Sequence, residues 1–253
     1  MLANTSAPIT LLAPLAKPSF LVLDLETGDA PAEDIANVIA AWKAPSNWKP
    51  ETVEAKKREF AANAIKRAAL LDASPILCIG MQTDNARMLF NGMDDSAPEI
   101  NGWPVVPCGE ERGMLMALRA WLDASTSADT LIVGHNIRGF DLPKLRHAYI
   151  RHSLRLPQLL MAKIGGERVA ETVDTVSLFK AFSMEHRDEM FISLDTVAMS
   201  LGIPRPKQHI SGEDVPRLHK EGQFEAILTY CAVDVATTTR AYQLMTSTAL
   251  DIE

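Results

Sequence analysis

The chain is poor in cysteine: Cys78, Cys108 and Cys231 are the only three in 253 residues. The number is odd and no Cys-x-x-Cys pair occurs, so neither a disulfide framework nor a zinc knuckle is suggested. A reducing, cytoplasmic setting is expected. Long apolar runs are lacking too. None reaches the roughly 18–20 residues that a membrane helix needs, so no membrane association is expected. The apolar patch near the start has no basic leader and is cut by Pro8, Pro14 and Pro18, which argues against a signal peptide. Residues 1–17 are expected to be a flexible tail. Positive charge is also in deficit, with 25 Lys and Arg against 32 Asp and Glu. A net charge of -7 argues against a protein that coats nucleic acid non-specifically, but allows one that grips a strand locally.

What is present is enough apolar residue for one large α/β domain over residues 18–253. SFLVLDLETG reads as a buried strand, and an insert of about 28–74 follows it. The insert opens with loop signals, GDAPAED, and ends in a helix beginning at Pro50 and Glu51. PILCIGMQT and ARMLFNG read as strands joined by a turn at Asp84 and Asn85. ERGMLMALRAWLDAS has helical spacing, TLIVGHN is a strand, and the last third is helical. This order predicts a mixed sheet flanked by helices, with a helical insertion after the first strand.

Asp24 and Glu26 break the oily first strand. Side chains two apart on a strand share a face, so the two carboxylates stand side by side. They repel unless a cation lies between them, and hard cations such as Mg²⁺ take oxygen ligands. Both pointing to solvent is the plainer alternative. Asp141 follows the strand LIVGHN and stands where it could cap the next helix. Tyr230 and Asp234 are four apart on a helix and share a face; a solvent-facing Asp234 is again the plain alternative.

Together, Asp-x-Glu, then Asn-x-x-x-Phe-Asp, then Tyr-x-x-x-Asp resemble the motifs of the DEDD 3′–5′ exonuclease superfamily in its tyrosine branch. The histidine branch would carry His where this chain has Thr229. The stretches SLDTVAMSLGIP and SGEDVPRLHKEGQFEAILTYCAVDVATTTRAYQLM are similar to the predicted exonucleases related to the exonuclease domain of family B DNA polymerases. The resemblance spans roughly 19–247 and implies an RNase H-like fold. It implies hydrolysis with two divalent metal ions, Mg²⁺ or Mn²⁺, held by Asp24, Glu26, Asp141 and Asp234. Tyr230 would orient the attacking water, since a phenol with a pKa near ~10 is a poor base at neutral pH.

Leu25, Thr27, Asn136 and Phe140 are weaker candidates for substrate contact, with a turn role for Asn136 and a core role for Phe140 as alternatives. Asp174 reads as a helix cap, and His135 and His209 as structural residues. Seven Lys and Arg against two acids between Arg138 and Arg168 suggest either a solvated face or a phosphate-guiding groove. Lys56, Lys57, Arg58, Lys66 and Arg67 on the insert helix would form the opposite wall. The expected activity is removal of nucleotides from the 3′ end of single-stranded DNA. RNA as substrate, a catalytically silent nucleic-acid-binding module and an RNase H-like endonuclease are the competing readings. A replication or recombination protein acting in trans is an expected partner.

Overall fold

In the computed structural model, residues 19–93, 97–162, 172–204 and 210–246 are described. The expectations for residues 1–17 and for His209 lie outside these, as do those for Lys163 and Arg168. Strand β1 (Phe20–Thr27) lies inside the sheet, antiparallel to β2 (Ile76–Thr83) and parallel to β6 (Leu131–Gly134). Adding β3 (Arg87–Asn91), β4 (Glu99–Ile100), β5 (Trp103–Pro107) and β7 (Thr172–Asp174) gives the order β4-β5-β3-β2-β1-β6-β7.

Strand alternation sorts β1 between two cores. Leu21, Leu23 and Leu25 face α3 (Glu111–Ser125), α4 (Asp141–Arg151) and α5 (Gln158–Ala162). Val22 faces α8 (Val215–Lys220) and α9 (Phe224–Met245). Helices α6 (Thr175–Phe182) and α7 (Leu194–Ser200) close a smaller cluster with α9. The insert supplies α1 (Ala32–Ala41) and α2 (Pro50–Lys66). The result is one α/β domain of RNase H-like type, a mixed sheet flanked by helices with a helical insertion after β1. Among the described residues, no helix is long and apolar enough to cross a membrane.

Three strands and two helices differ from the sequence reading, one of them the short α5, which stands where loop was expected. Helix α1 stands where loop was expected. Neither it nor α2 has a buried residue; aromatic contacts of Trp42 with Trp48 (6.5 Å) and Phe60 (6.1 Å) join the pair. Strands β4 and β5 form a hairpin around Asn101 and Gly102, with φ of 50° and 78°. Asn-Gly is the residue pair such a turn favours, so the signal was in the sequence. Pro104 and Pro107 masked it, because proline belongs at exposed edge positions of a strand. Strand β7 has three residues, too few to show a period.

The basic stretch after β6 is used largely by the fold. Lys144 is 4% exposed, and its ammonium donates to the carbonyls of Ala69 and Leu71 and to the Ser74 hydroxyl. Three donors meet three acceptors, so the charge stays solvated by protein. Burial lowers its pKa to about 8. Arg151 donates to the Asp72 carbonyl and to Glu111, which also accepts from Ile76 N and pairs with His152 at 2.7 Å. Arg138 donates to the Thr172 carbonyl. The expected phosphate groove therefore loses three of its cations to structural bonds.

Lys144 clamps the end of the insert to α4, and Lys144→Met keeps the stem while removing the charged hydrogen bonds. It should cost about 1.5–3 kcal/mol of stability, read by urea denaturation. It should also make the Ala68–Leu70 turn more sensitive to protease. Wild-type stability and cleavage pattern in the variant would show that the clamp carries no load.

Candidate metal centre

The site forms because β1 ends under α9. Val22, Asp24 and Glu26 alternate onto the same face. Gly80 lies opposite Asp24 in the β1–β2 register. A Cβ at Gly80 would stand 2.8 Å from Val235 Cγ2 and 2.9 Å from Cys231 Sγ. The glycine therefore lets α9 approach the sheet beside Asp24. That approach brings Asp234, 8% exposed, to the strand carboxylates. Tyr230, one turn earlier and half-buried, hydrogen-bonds Asp234.

Asp141 arrives from the other side. It is the first residue of α4; Phe140 holds the cap position, so the expected capping role is not found. Its carboxylate turns to the sheet and accepts the Leu25 amide at 3.2 Å. Asp174 fixes the turn leading to it. As expected it caps α6 through Val176 N, but it also accepts from the amides of Asn136 (3.0 Å) and Arg138 (3.3 Å). Sequence reasoning found only the cap. Asn136 takes a left-handed φ of 56°, a conformation asparagine tolerates well.

The electrostatics follow from burial without counter-charge. Desolvation raises the pKa of Asp24 well above the carboxylate range, and repulsion from Asp141 and Asp234 adds to it. Glu26 is raised by desolvation and by Asp24. Burial lifts Asp141 to about 8. Among the described residues, the groups acting most strongly on Asp24 and Glu26 are carboxylates and thiols, with no cationic side chain among them.

Carboxylates that repel and have no cation suit a bound cation. One oxygen each of Asp24 and Glu26, with Cys231 Sγ, lie within 4.8 Å of one another. Cys231 was not foreseen from sequence. Its hydrogen bond with Cys78 and its burial raise its pKa well above the thiol range, which keeps it a neutral thiol. The donor set is thus carboxylate oxygen, the chemistry of Mg²⁺ or Mn²⁺ rather than of a thiolate-bound ion. Desolvation also raises the Tyr230 pKa far above its ordinary value, so the phenol stays neutral.

The weaker candidates are mostly occupied. Leu25 is in the core and gives its amide to Asp141. The Thr27 hydroxyl donates to the Ala69 carbonyl at 2.9 Å. Phe140 packs on the core, with the Lys144 ammonium 5.7 Å from its ring centroid. The Asn136 side chain lies over Gly139, where a Cβ would stand 2.5 Å from its Oδ1. His135 is structural as expected, bonded to Thr175 and to the Ile192 carbonyl.

A family described as predicted 3′-5′ exonuclease related to the exonuclease domain of PolB matches residues 110–250, more than half of the chain. The match takes in Asp141, Tyr230 and Asp234. Asp24 and Glu26 lie before it, and the fold brings them to the same place. No curated protein matches the chain.

The repulsion has a measurable sign. Groups whose folded pKa is raised give full stability below their unfolded value, near ~4, and lose it as pH rises through the folded value. With Asp141 at about 8, the metal-free protein should lose stability steadily across that window. Asp24→Asn removes one charge of the cluster. Its melting temperature without metal should exceed that of wild type by a margin that widens, to a few degrees, from about pH 5 to about pH 8. Mg²⁺ should close the gap by stabilising wild type. A margin that stays flat or narrows with pH would overturn this account.

Proposed function

The chain belongs to the predicted 3′-5′ exonucleases related to the exonuclease domain of PolB, and from that premise we propose that it removes nucleotides from the 3′ end of single-stranded DNA by metal-dependent hydrolysis. The observation that supports this reading is the convergence of Asp24, Glu26, Asp141 and Asp234: Asp24 and Glu26 are buried side by side, and the charges of Asp141 and Asp234 push the pKa of both up further. Asp24, central in the cluster, would hold both of two divalent cations. Glu26 and Asp234 would hold the one nearer the attacking water, and Asp141 the other. When bound, such a pair supplies Lewis-acid stabilisation of phosphoryl charge and makes water a stronger nucleophile.

The protein's own groups do the rest. Tyr230 stays neutral, so it orients water by hydrogen bond and does not remove its proton. Its bond to Asp234 sets the direction of the phenol. Glu26 lies on the same strand face as Asp24 and can accept a hydrogen bond from the water as it attacks. Asp174, through the amides of Asn136 and Arg138, holds the turn that aims Asp141. Asn136 and Phe140 line this turn and are the remaining candidates for contact with the strand.

The test is a 5′-labelled single-stranded DNA oligonucleotide with Mg²⁺ or Mn²⁺, beside matched RNA and circular single-stranded DNA. A ladder shortening from the 3′ end, abolished by EDTA and absent on the circle, is expected. Asp24→Ala should lower the rate at least about a thousandfold, the scale of several kcal/mol of lost charge stabilisation. Tyr230→Phe should lower it about ten- to a hundredfold, the scale for an orienting hydrogen bond. Cleavage of the circle would instead indicate an endonuclease. Binding without cleavage would indicate a nucleic-acid-binding module.

A further inference from the structure

The segment joining α6 to α7 exposes three apolar side chains: Met184 (85%) and, further on, Met190 (97%) and Phe191 (56%). The backbone beneath the last two is fixed. Ile192 is 1% exposed in the cluster with Val176, Phe179, Val197 and Ala241. Its carbonyl is 2.8 Å from His135 Nε2, and the Lys180 ammonium donates to the Met190 carbonyl at 3.3 Å. A carbonyl only accepts, so in the neutral ring Nε2 carries the proton and Nδ1 accepts from the Thr175 hydroxyl at 2.9 Å. Glu189, the residue before Met190, pairs with His186 at 2.8 Å.

This exposed aromatic lies over the end of β6, the strand beside β1. The Phe191 ring meets the His135 ring edge-on, with centroids 6.1 Å apart. His135 lies one residue past the end of β6, and the turn that follows it ends at Asp141. The parallel register pairs Val22 with Val133, so this end of β6 neighbours the strand that carries Asp24 and Glu26.

We propose that Phe191, flanked by Met190, is a stacking platform for a base of the single strand close to the phosphate being cut. This rests on the exonuclease reading above. A base offers a flat π-face whatever its identity, so an aromatic platform suits an enzyme that degrades any sequence. A bare core defect would not be pinned from behind by His135 and Lys180.

The experiment compares wild type with Phe191→Ala and Phe191→Trp, using the full chain and a 5′-labelled oligonucleotide. Phe191→Ala should raise KM about five- to a hundredfold with kcat changed less than about twofold, and Phe191→Trp should restore KM. On an oligonucleotide whose three 3′-terminal nucleotides are abasic, the ratio of wild type to Phe191→Ala should fall towards one. Equal KM values on the normal strand, or a penalty that persists on the abasic one, overturn the platform. Binding is read separately by fluorescence anisotropy with Ca²⁺ in place of Mg²⁺. If wild type cuts nothing yet Phe191→Ala weakens this binding for normal but not abasic strands, the exonuclease reading fails and the platform stands. No binding by wild type overturns both.

Discussion

Four carboxylates forced into one poorly solvated place form the constraint on which the rest of the structure depends. Left alone, Asp24, Glu26 and Asp141 would be driven to keep a proton, because charge is costly to bury and like charges in low dielectric repel. Among the described residues, no arginine or lysine relieves this at Asp24 or Glu26. It spends other interactions to hold the acids together. Gly80 omits a side chain so that α9 can close on β1. The Leu25 amide holds Asp141. Asp174 ties the turn in front of α4 to the start of α6. The cation that the protein does bury, Lys144, gives its ammonium to the carbonyls of Ala69 and Leu71 and to the Ser74 hydroxyl.

Legibility of the sequence followed the range of each interaction. Helix α3 was readable because its apolar spacing is local and long, and β1 because its run is interrupted only by two acids. The alternation of strand side chains was enough to put Asp24 and Glu26 on one face. Bringing Asp141 and Asp234 to that face required contacts across more than a hundred residues, which spacing cannot supply; there the motif resemblance did what local physics could not. Capping was an open alternative for Asp141 because caps are judged from neighbours in sequence, whereas its partner is Leu25 on another element.

The basic residues mislead for the same reason. A count of charge along the chain between Arg138 and Arg168 suggests a phosphate track. In three dimensions Arg138, Lys144 and Arg151 spend their donors on backbone carbonyls of β7 and of the segment before β2. Attraction of a strand therefore cannot rest on that stretch as a whole. In the proposed mechanism it would come from the ions that the carboxylates would hold and from short-range contacts around the cluster, which suits a protein whose overall charge is negative.

Tyr230 joins these strands of argument. A phenol beside carboxylates is raised further from ionisation by burial and by Asp234, Glu26 and Asp24. The same field that makes the acids hungry for cations makes the tyrosine useless as a base. In the proposed mechanism its contribution would be directional: a neutral hydroxyl, hydrogen-bonded to Asp234. Placing it four residues before Asp234 on a single helix makes that geometry insensitive to how the rest of the chain is arranged, because i and i+4 always share a face. The helix thus carries an acid and its orienting group as one rigid unit, and Gly80 sets how near that unit comes to the strand.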